Sequence, residues 1–160
     1  MVFKEKMISV LIAAYNAEKT IQKTIDSVLN QTFSDFELVI CNDGSRDNTE
    51  KVILSNTDSR IRYFYKPNGG IAETRNFLLN EVQGEAFIFI DADDYFELDA
   101  LEKLYKKMTE TQSEMVVAEF WNVFINGETT LSQGKEFTNV SMPTDPAILL
   151  EVKPQPWNKL

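Results

Sequence analysis

Ala86-Phe87-Ile88-Phe89-Ile90-Asp91-Ala92-Asp93-Asp94-Tyr95 is the stretch that decides the fold. Five apolar residues run without a break, and three carboxylates then fall within four positions. The run is short and rich in β-branched and aromatic types, as in a strand buried on both faces of a parallel sheet. The acidic group then lies at the strand's carboxyl end, where open α/β sheets bind ligands.

Carboxylates so close repel one another unless they are solvated, protonated or neutralised by a cation. Asp91 and Asp93 are two positions apart, so an extended backbone aims both the same way. A hard cation such as Mg²⁺ or Mn²⁺ takes oxygen ligands and leaves room for phosphate oxygens. A solvated acidic turn that caps the next helix accounts for the same residues, so the cluster alone leaves both readings open.

Further strands and helices extend outward from this stretch. Met7 to Ala14 is a second apolar strand, ended by Tyr15-Asn16, with Asn16 placed to cap the next helix. That helix carries Ile21, Ile25, Val28 and Leu29 on one stripe. Phe36 to Cys41 is a third strand, broken by the turn signal Asn42-Asp43-Gly44-Ser45. Asp47 or Asn48 caps a short helix reaching about Ser55. Ile61 to Tyr65 is a strand, followed by Pro67-Asn68-Gly69-Gly70 and a helix with Ile71, Arg75, Phe77, Leu78 and Val82. After the acidic group, Leu98, Leu101, Leu104, Tyr105 and Met108 mark an amphipathic helix. Met115 to Phe120 is expected as a strand, Asn126-Gly127 as a hairpin turn after Trp121 to Ile125, and Pro143 to Leu149 as a short helix. Alternating strand and helix predict an α/β fold, a mostly parallel central sheet flanked by helices. Three polar loops gather on one edge of it.

The 160 residues suffice for one domain with a real core. The formal charge of −9 argues against nucleic acid as a partner. It also means that a phosphorylated ligand needs local positive charge or a metal. With no histidine and one cysteine, Cys41, a zinc site, a disulfide framework and a histidine base are excluded. Cys41 lies in an apolar run and reads as inert. No apolar run approaches the length of a membrane span.

Several loop residues have two readings. Asp43 is either a turn former bonded to its own backbone or an acceptor for a ligand N–H, as on a nucleobase. Arg75 is either a solvated helix residue or a guanidinium held against phosphate. Tyr15 is either a core or rim aromatic or a platform beside a base. Lys66, next to a proline, reads as exposed. Trp121 and Trp157 read as packing residues.

Taken in order, Ser9 to Asn16, Ser27 to Phe33, Asn42 to Thr49, Asn68-Gly69-Gly70 with Arg75-Asn76, and Asp91-Ala92-Asp93-Asp94 resemble a family 2 glycosyltransferase with the Rossmann-like GT-A fold. Five weak motifs in this order and spacing make a specific pattern. The resemblance implies a nucleotide-sugar donor, usually a uridine diphosphate sugar, with Mn²⁺ or Mg²⁺ as cofactor. It places Ala13, Tyr15 and Asp43 at the nucleoside, Arg75 at the base or diphosphate, Asp91 at the ribose or the metal, and Asp93 at the metal. It implies inverting transfer of a hexose-type sugar to a hydroxyl of a saccharide or lipid-linked acceptor, in polysaccharide or glycoconjugate synthesis. Asn42 departs from the usual Asp of the family, and Leu98 from a common Pro.

Residues 1–160 are then expected to be a single donor-binding domain of a longer enzyme, with the catalytic base beyond Leu160. The same expectation places it in the cytoplasm or at the inner membrane face, attached through the missing part, with a homodimer among the expected states. Three rivals remain: a nucleotide-sugar-binding domain without turnover, a phosphohydrolase of the haloacid dehalogenase type, and a sugar nucleotidyltransferase. The last two are disfavoured by the late position of Asp91 and by the lack of a glycine-rich loop after the first strand.

Overall fold

Four strands pair in parallel in the order β3-β2-β1-β4: β1 (Ile8–Ala14), β2 (Phe36–Asp43), β3 (Ile61–Lys66) and β4 (Ala86–Phe89). Between them run α1 (Ile21–Leu29), α2 (Thr49–Leu54) and α3 (Ile71–Asn80), and α4 (Ala100–Thr111) follows β4. The computed structural model describes residues 8–124 and 127–132. These belong to two compact units, divided between Val116 and Val117.

Strand periodicity sorts the side chains of the first unit. Ile8, Val10, Ile12 and Ala14 of β1, with Phe36, Leu38 and Ile40 of β2, face Ile21, Ile25 and Val28 of α1, Ile53 of α2 and Leu101 of α4. Leu11, Val39 and Cys41 face the other way, onto Leu78 of α3. Helices therefore cover both faces, as parallel strands require. Every residue of β2 is buried. Each fully buried Val, Leu or Ile here contributes about 1.5–3 kcal/mol by leaving water.

Several local expectations are corrected. β4 ends at Phe89 and is an edge of the sheet among the described residues, with Phe87 53% exposed rather than buried on both faces. Helix α1 starts at Ile21 after Thr20, so Asn16 is not its cap; Asn16 adopts a left-handed φ of 50° and spends its side chain on another loop. Leu98 precedes α4 and is exposed. Of Met115 to Phe120, only Phe120 is in a strand, because no neighbouring backbone supplies a ladder to the rest among the described residues. In the second unit, β5 (Phe120–Val123) and β6 (Thr129–Ser132) form the expected antiparallel hairpin, with Gly127 at a φ of 83°. Trp121 is half exposed there, not packed. The expected helix from Pro143 and the segment with Trp157 lie outside the described residues.

The α3 face carries a buried polar group at the amino end of the sheet. Glu37 accepts from the Ser9 hydroxyl, from Arg62 at 2.9 Å and from the Gln83 N–H at 2.9 Å. Arg62 also bonds the Glu81 carbonyl and carboxylate, so the group ties three strands to the end of α3. Burial pushes the Glu37 carboxyl up, but these hydrogen bonds and the Arg62 charge outweigh it and hold it below the ordinary range. Hydrogen bonds from the Arg60 side chain and backbone hold Asp58 at about 2, against desolvation. Both folded values are depressed. Their stabilisation is therefore complete above the unfolded pKa of about 4 and is lost as pH falls through the folded values. The melting temperature should hold steady above about pH 5 and fall toward about pH 2, as checked by calorimetry across that range. Arg62→Met should cost about 3 kcal/mol in urea unfolding at neutral pH, because it leaves Glu37 buried without its cation.

Candidate donor site

The strands β1, β2 and β3 end together, with Ala14 opposite Asn42 and Asp43 opposite Lys66. Ala13 and Ala14 are small, and a cavity of about 270 Å³ opens beside them. Tyr15, Asp43, Asn68, Gly70, Ile71 and Thr74 complete its wall. Tyr15 stands at the rim, 47% exposed, so its ring is available to a flat ligand.

Asp43 does not bond its own turn. Its Oδ1 accepts from the Gly69 N–H at 2.9 Å and from Lys66 Nζ at 2.6 Å, and its Oδ2 accepts from the Gly70 N–H at 2.9 Å. Burial pushes the carboxyl up, but Lys66 and the Gly69 and Gly70 N–H groups outweigh it and hold the pKa below the ordinary range. The loop Pro67 to Gly70 is thus fastened to the end of β2. Asn68 Nδ2 adds a bond to the Asp43 carbonyl. Gly44 permits the close approach: its φ is 69°, and a Cβ there would stand 2.7 Å from the Asn68 nitrogen.

A larger cleft of about 630 Å³ shares Ala13 and Tyr15 with the cavity and reaches Arg75, Asp91, Ala92 and Asp93. Arg75 bonds Asp91 Oδ1 at 2.7 Å and lies over the Phe89 ring. Both partners are about half exposed, so the pair itself adds little stability. The guanidinium is therefore free to turn toward a competing anion.

The acidic loop is braced from α1. The Thr24 hydroxyl donates to the Asp94 carbonyl, and Ser27 Oγ accepts from the Phe96 N–H. Gln31 donates to the Glu97 carbonyl and accepts from the Leu101 N–H, while the Thr32 N–H bonds the Leu98 carbonyl. The first two polar loops brace each other in the same way. Ser45 Oγ accepts from the Asn16 N–H, Asn16 Oδ1 from the Arg46 N–H, and Asp47 from the Glu18 N–H.

All of Ala13, Tyr15, Asp43, Arg75, Asp91 and Asp93 therefore line two adjoining hollows at one sheet edge. Lys66 is the residue that sequence reasoning set aside: its side chain is only 12% exposed and its charge is committed to Asp43 and to Glu73 at 3.1 Å. Its place depends on strand register, which leaves no one-dimensional signal.

As for a cation, no three-donor cluster of carboxylates or thiols forms among the described residues. Asp93 is exposed and makes no hydrogen bond or ion pair with them, and Asp91 keeps its second oxygen unbonded. One or two carboxylates completed by phosphate and water is the donor set that Mg²⁺ or Mn²⁺ takes, so the residues present fit such an ion.

The sequence model of glycosyl transferase family 2 matches residues 9–151. The chain belongs to that family. Glycosyltransferase GlyA of Streptococcus pneumoniae serotype 4 is 37% identical over 117 residues, 72% of this chain and 17% of that protein. Chondroitin synthase of Pasteurella multocida is 46% identical over 103 residues, 63% of this chain and 11% of the synthase. The chain thus spans less than a fifth of the length of either relative. S. aureus TarS 1–349 in complex with UDP-GlcNAc matches at a TM-score of 0.64 and 29% identity, over 67% of this chain and 32% of that one. The Pyrobaculum calidifontis mannosyltransferase PcManGT, in complex with GDP-Man and Mn²⁺, shares the fold at a TM-score of 0.59 and 22% identity, over 63% and 32%. The architecture is that of the GT-A glycosyltransferases, and the hydrolase and nucleotidyltransferase readings fall.

Within this family 2 domain, Asn42 has a structural account. It is buried, its Oδ1 accepts from the Ser45 N–H, and its Nδ2 donates to Tyr63 Oη, which donates to Glu50. A carboxylate lacks that N–H donor, and Asn42 is not among the residues lining the cavity. For Gly44→Ala, a side chain at positive φ should cost about 1–2 kcal/mol, with the clash against Asn68 adding to it. Gly69→Ala should cost less, because its methyl meets only the movable Glu73 carboxylate. Chemical denaturation of the two variants side by side checks the order.

Proposed function

We propose that this domain binds a uridine diphosphate sugar and serves inverting transfer of its hexose-type sugar to an acceptor hydroxyl, in polysaccharide or glycoconjugate synthesis. The observation that carries this reading is the junction of two hollows at one sheet edge: a cavity containing an ionised Asp43, and a cleft containing Arg75 beside two carboxylates. The first suits a base that offers an N–H, and the second suits a diphosphate.

In this reading the chain's own residues bind and orient the donor. Tyr15 lies against the base and Asp43 accepts its N–H. Arg75 releases Asp91 and turns to the diphosphate, where its planar fork matches phosphate oxygens. Asp93, with Asp91, would hold Mg²⁺ or Mn²⁺, which as a Lewis acid neutralises the charge that develops on the leaving diphosphate. Asp91 is then freed for the ribose or the metal. The partners are the donor and a saccharide or lipid-linked acceptor. Because the matched relatives are several times longer, we assign residues 1–160 to the donor-binding part of a larger enzyme. The base that takes the acceptor proton is assigned to the region after Leu160. We place the protein in the cytoplasm or at the inner face of the membrane, where that region would attach it. Among the described residues no helix is long and apolar enough to cross a membrane.

Calorimetric titration tests the donor site. UDP and UDP-sugars should bind more tightly in Mn²⁺ than in chelator, and ligand at about 100 times Kd should raise stability by about 2.7 kcal/mol. Asp93→Asn should abolish the metal dependence and leave the melting temperature of the free protein unchanged. Equal affinity with and without metal, in both proteins, would rule out a metal role for Asp93. Product analysis then separates transfer from binding alone: turnover yields nucleoside diphosphate and a glycosylated acceptor. A version extended past Leu160 should be faster by about 10²–10⁴, the worth of a general base.

A further inference from the structure

We propose that Lys66 is the positioning residue that makes Asp43 a base reader: by holding the carboxylate beside the Gly69 and Gly70 N–H groups, it leaves Asp43 a single acceptor position, fit for an imide N–H and not for a ring nitrogen lone pair. The proposal rests on the donor reading above and names the base selectivity of that same site.

An ionised carboxylate has about four lone-pair positions and no proton to give. Lys66 Nζ at 2.6 Å and the Gly69 N–H at 2.9 Å take both positions on Oδ1. The Gly70 N–H takes one on Oδ2 at 2.9 Å. The Thr74 hydroxyl lies close, but its proton goes to the Gly70 carbonyl at 3.0 Å. One acceptor position remains on a side chain that is 5% exposed and lines the cavity. A uracil or guanine ring offers an imide N–H there and is accepted. Cytosine offers a lone pair at the equivalent ring nitrogen and is repelled.

Lys66 is what keeps this one-way. It is itself mostly covered and anchored by Glu73 at 3.1 Å from α3. The other groups facing Asp43 do not supply positive charge. They are the Gly69 and Gly70 N–H groups, the Thr74 hydroxyl, the uncharged Ala13 and Ala14 of β1, and Cys41 on its own strand. Burial pushes the Cys41 thiol up to about 11, so it is neutral at working pH. A buried carboxylate that loses its only cation takes up a proton more readily. Once protonated, Asp43 becomes a donor, and its preference between bases is weakened or reversed.

The test is titration of UDP and CDP, at fixed Mn²⁺, into wild type, Lys66→Met, Lys66→Arg and Glu73→Gln. The variant-to-wild-type ratio cancels the ligand's own phosphate titration. Between about pH 8 and about pH 5, that ratio for UDP and Lys66→Met should fall about twofold, the loss expected when about half of the variant's Asp43 takes up a proton at the lower pH. Its preference for UDP over CDP should narrow by a similar factor. Lys66→Arg should keep the wild-type profile, and Glu73→Gln should shift it in the Lys66→Met direction by less. A Lys66→Met ratio that is the same at both pH values, with unchanged base preference, would overturn the proposal in favour of simple packing. So would an unfolded Lys66→Met together with a Glu73→Gln indistinguishable from wild type. A wild type that binds UDP and CDP equally would overturn it and leave the donor reading standing. A wild type that binds no nucleotide would overturn both.

Discussion

The parallel pairing of β1 with β2 and β4 fixes the position of each functional side chain in the first unit. Parallel strands put all their carboxyl ends on one edge, so the residues that follow them meet without any sequence proximity. Tyr15, Asp43 and Asp91 come from three different strand ends and line adjoining hollows. The pairing is held by apolar burial on both faces of β1 and β2, and a one-residue slip of either strand would turn its polar residues to the opposite face.

That face assignment separates two polar systems. Ser9, Glu37 and Arg62 at the amino end lie on the same side of the sheet as Asp43, Lys66 and Asp91 at the carboxyl end, with Leu11, Val39, Cys41 and Phe64 between them. The first network joins strands to the end of α3, and the second joins β2 and β3 to its beginning. Helix α3 is therefore fixed at both ends by buried carboxylates. No buried side-chain polar atom among the described residues lacks a partner, so the cost of burying these charges is offset locally.

Many of the motif residues act on loops rather than on a ligand. Ser27, Gln31 and Thr32 hold the segment after the acidic cluster, and Asn16, Ser45 and Asp47 lock two loops together. Backbone groups that a loop leaves unpaired need such side-chain partners when the loop must keep one shape. The pattern that marks the family in one dimension is in large part this bracing. The hollows keep their form because the braces take up the loop hydrogen bonds, which frees Tyr15, Arg75 and Asp93 to remain exposed.

The sequence by itself determined the alternation of strand and helix, the parallel sheet and the family, and it named residues that line the two hollows. These follow from periodicity and from short motifs, which are local properties of the chain. It also overreached locally. The apolar run at Ala86 reads as doubly buried, yet β4 is an edge among the described residues, because an apolar strand records what a neighbour would cover and not whether one is there. Tertiary structure alone decided the partner of Asp43. Lys66 beside Pro67 looks exposed, and only the register of β3 on β2 sets it opposite a buried carboxylate. The same holds for the joint role of Gly69 and Gly70 as donors and for the Arg75–Asp91 pair across 16 positions. Long-range partners carry no periodic signal, since register and helix docking are settled by the packing of the whole core.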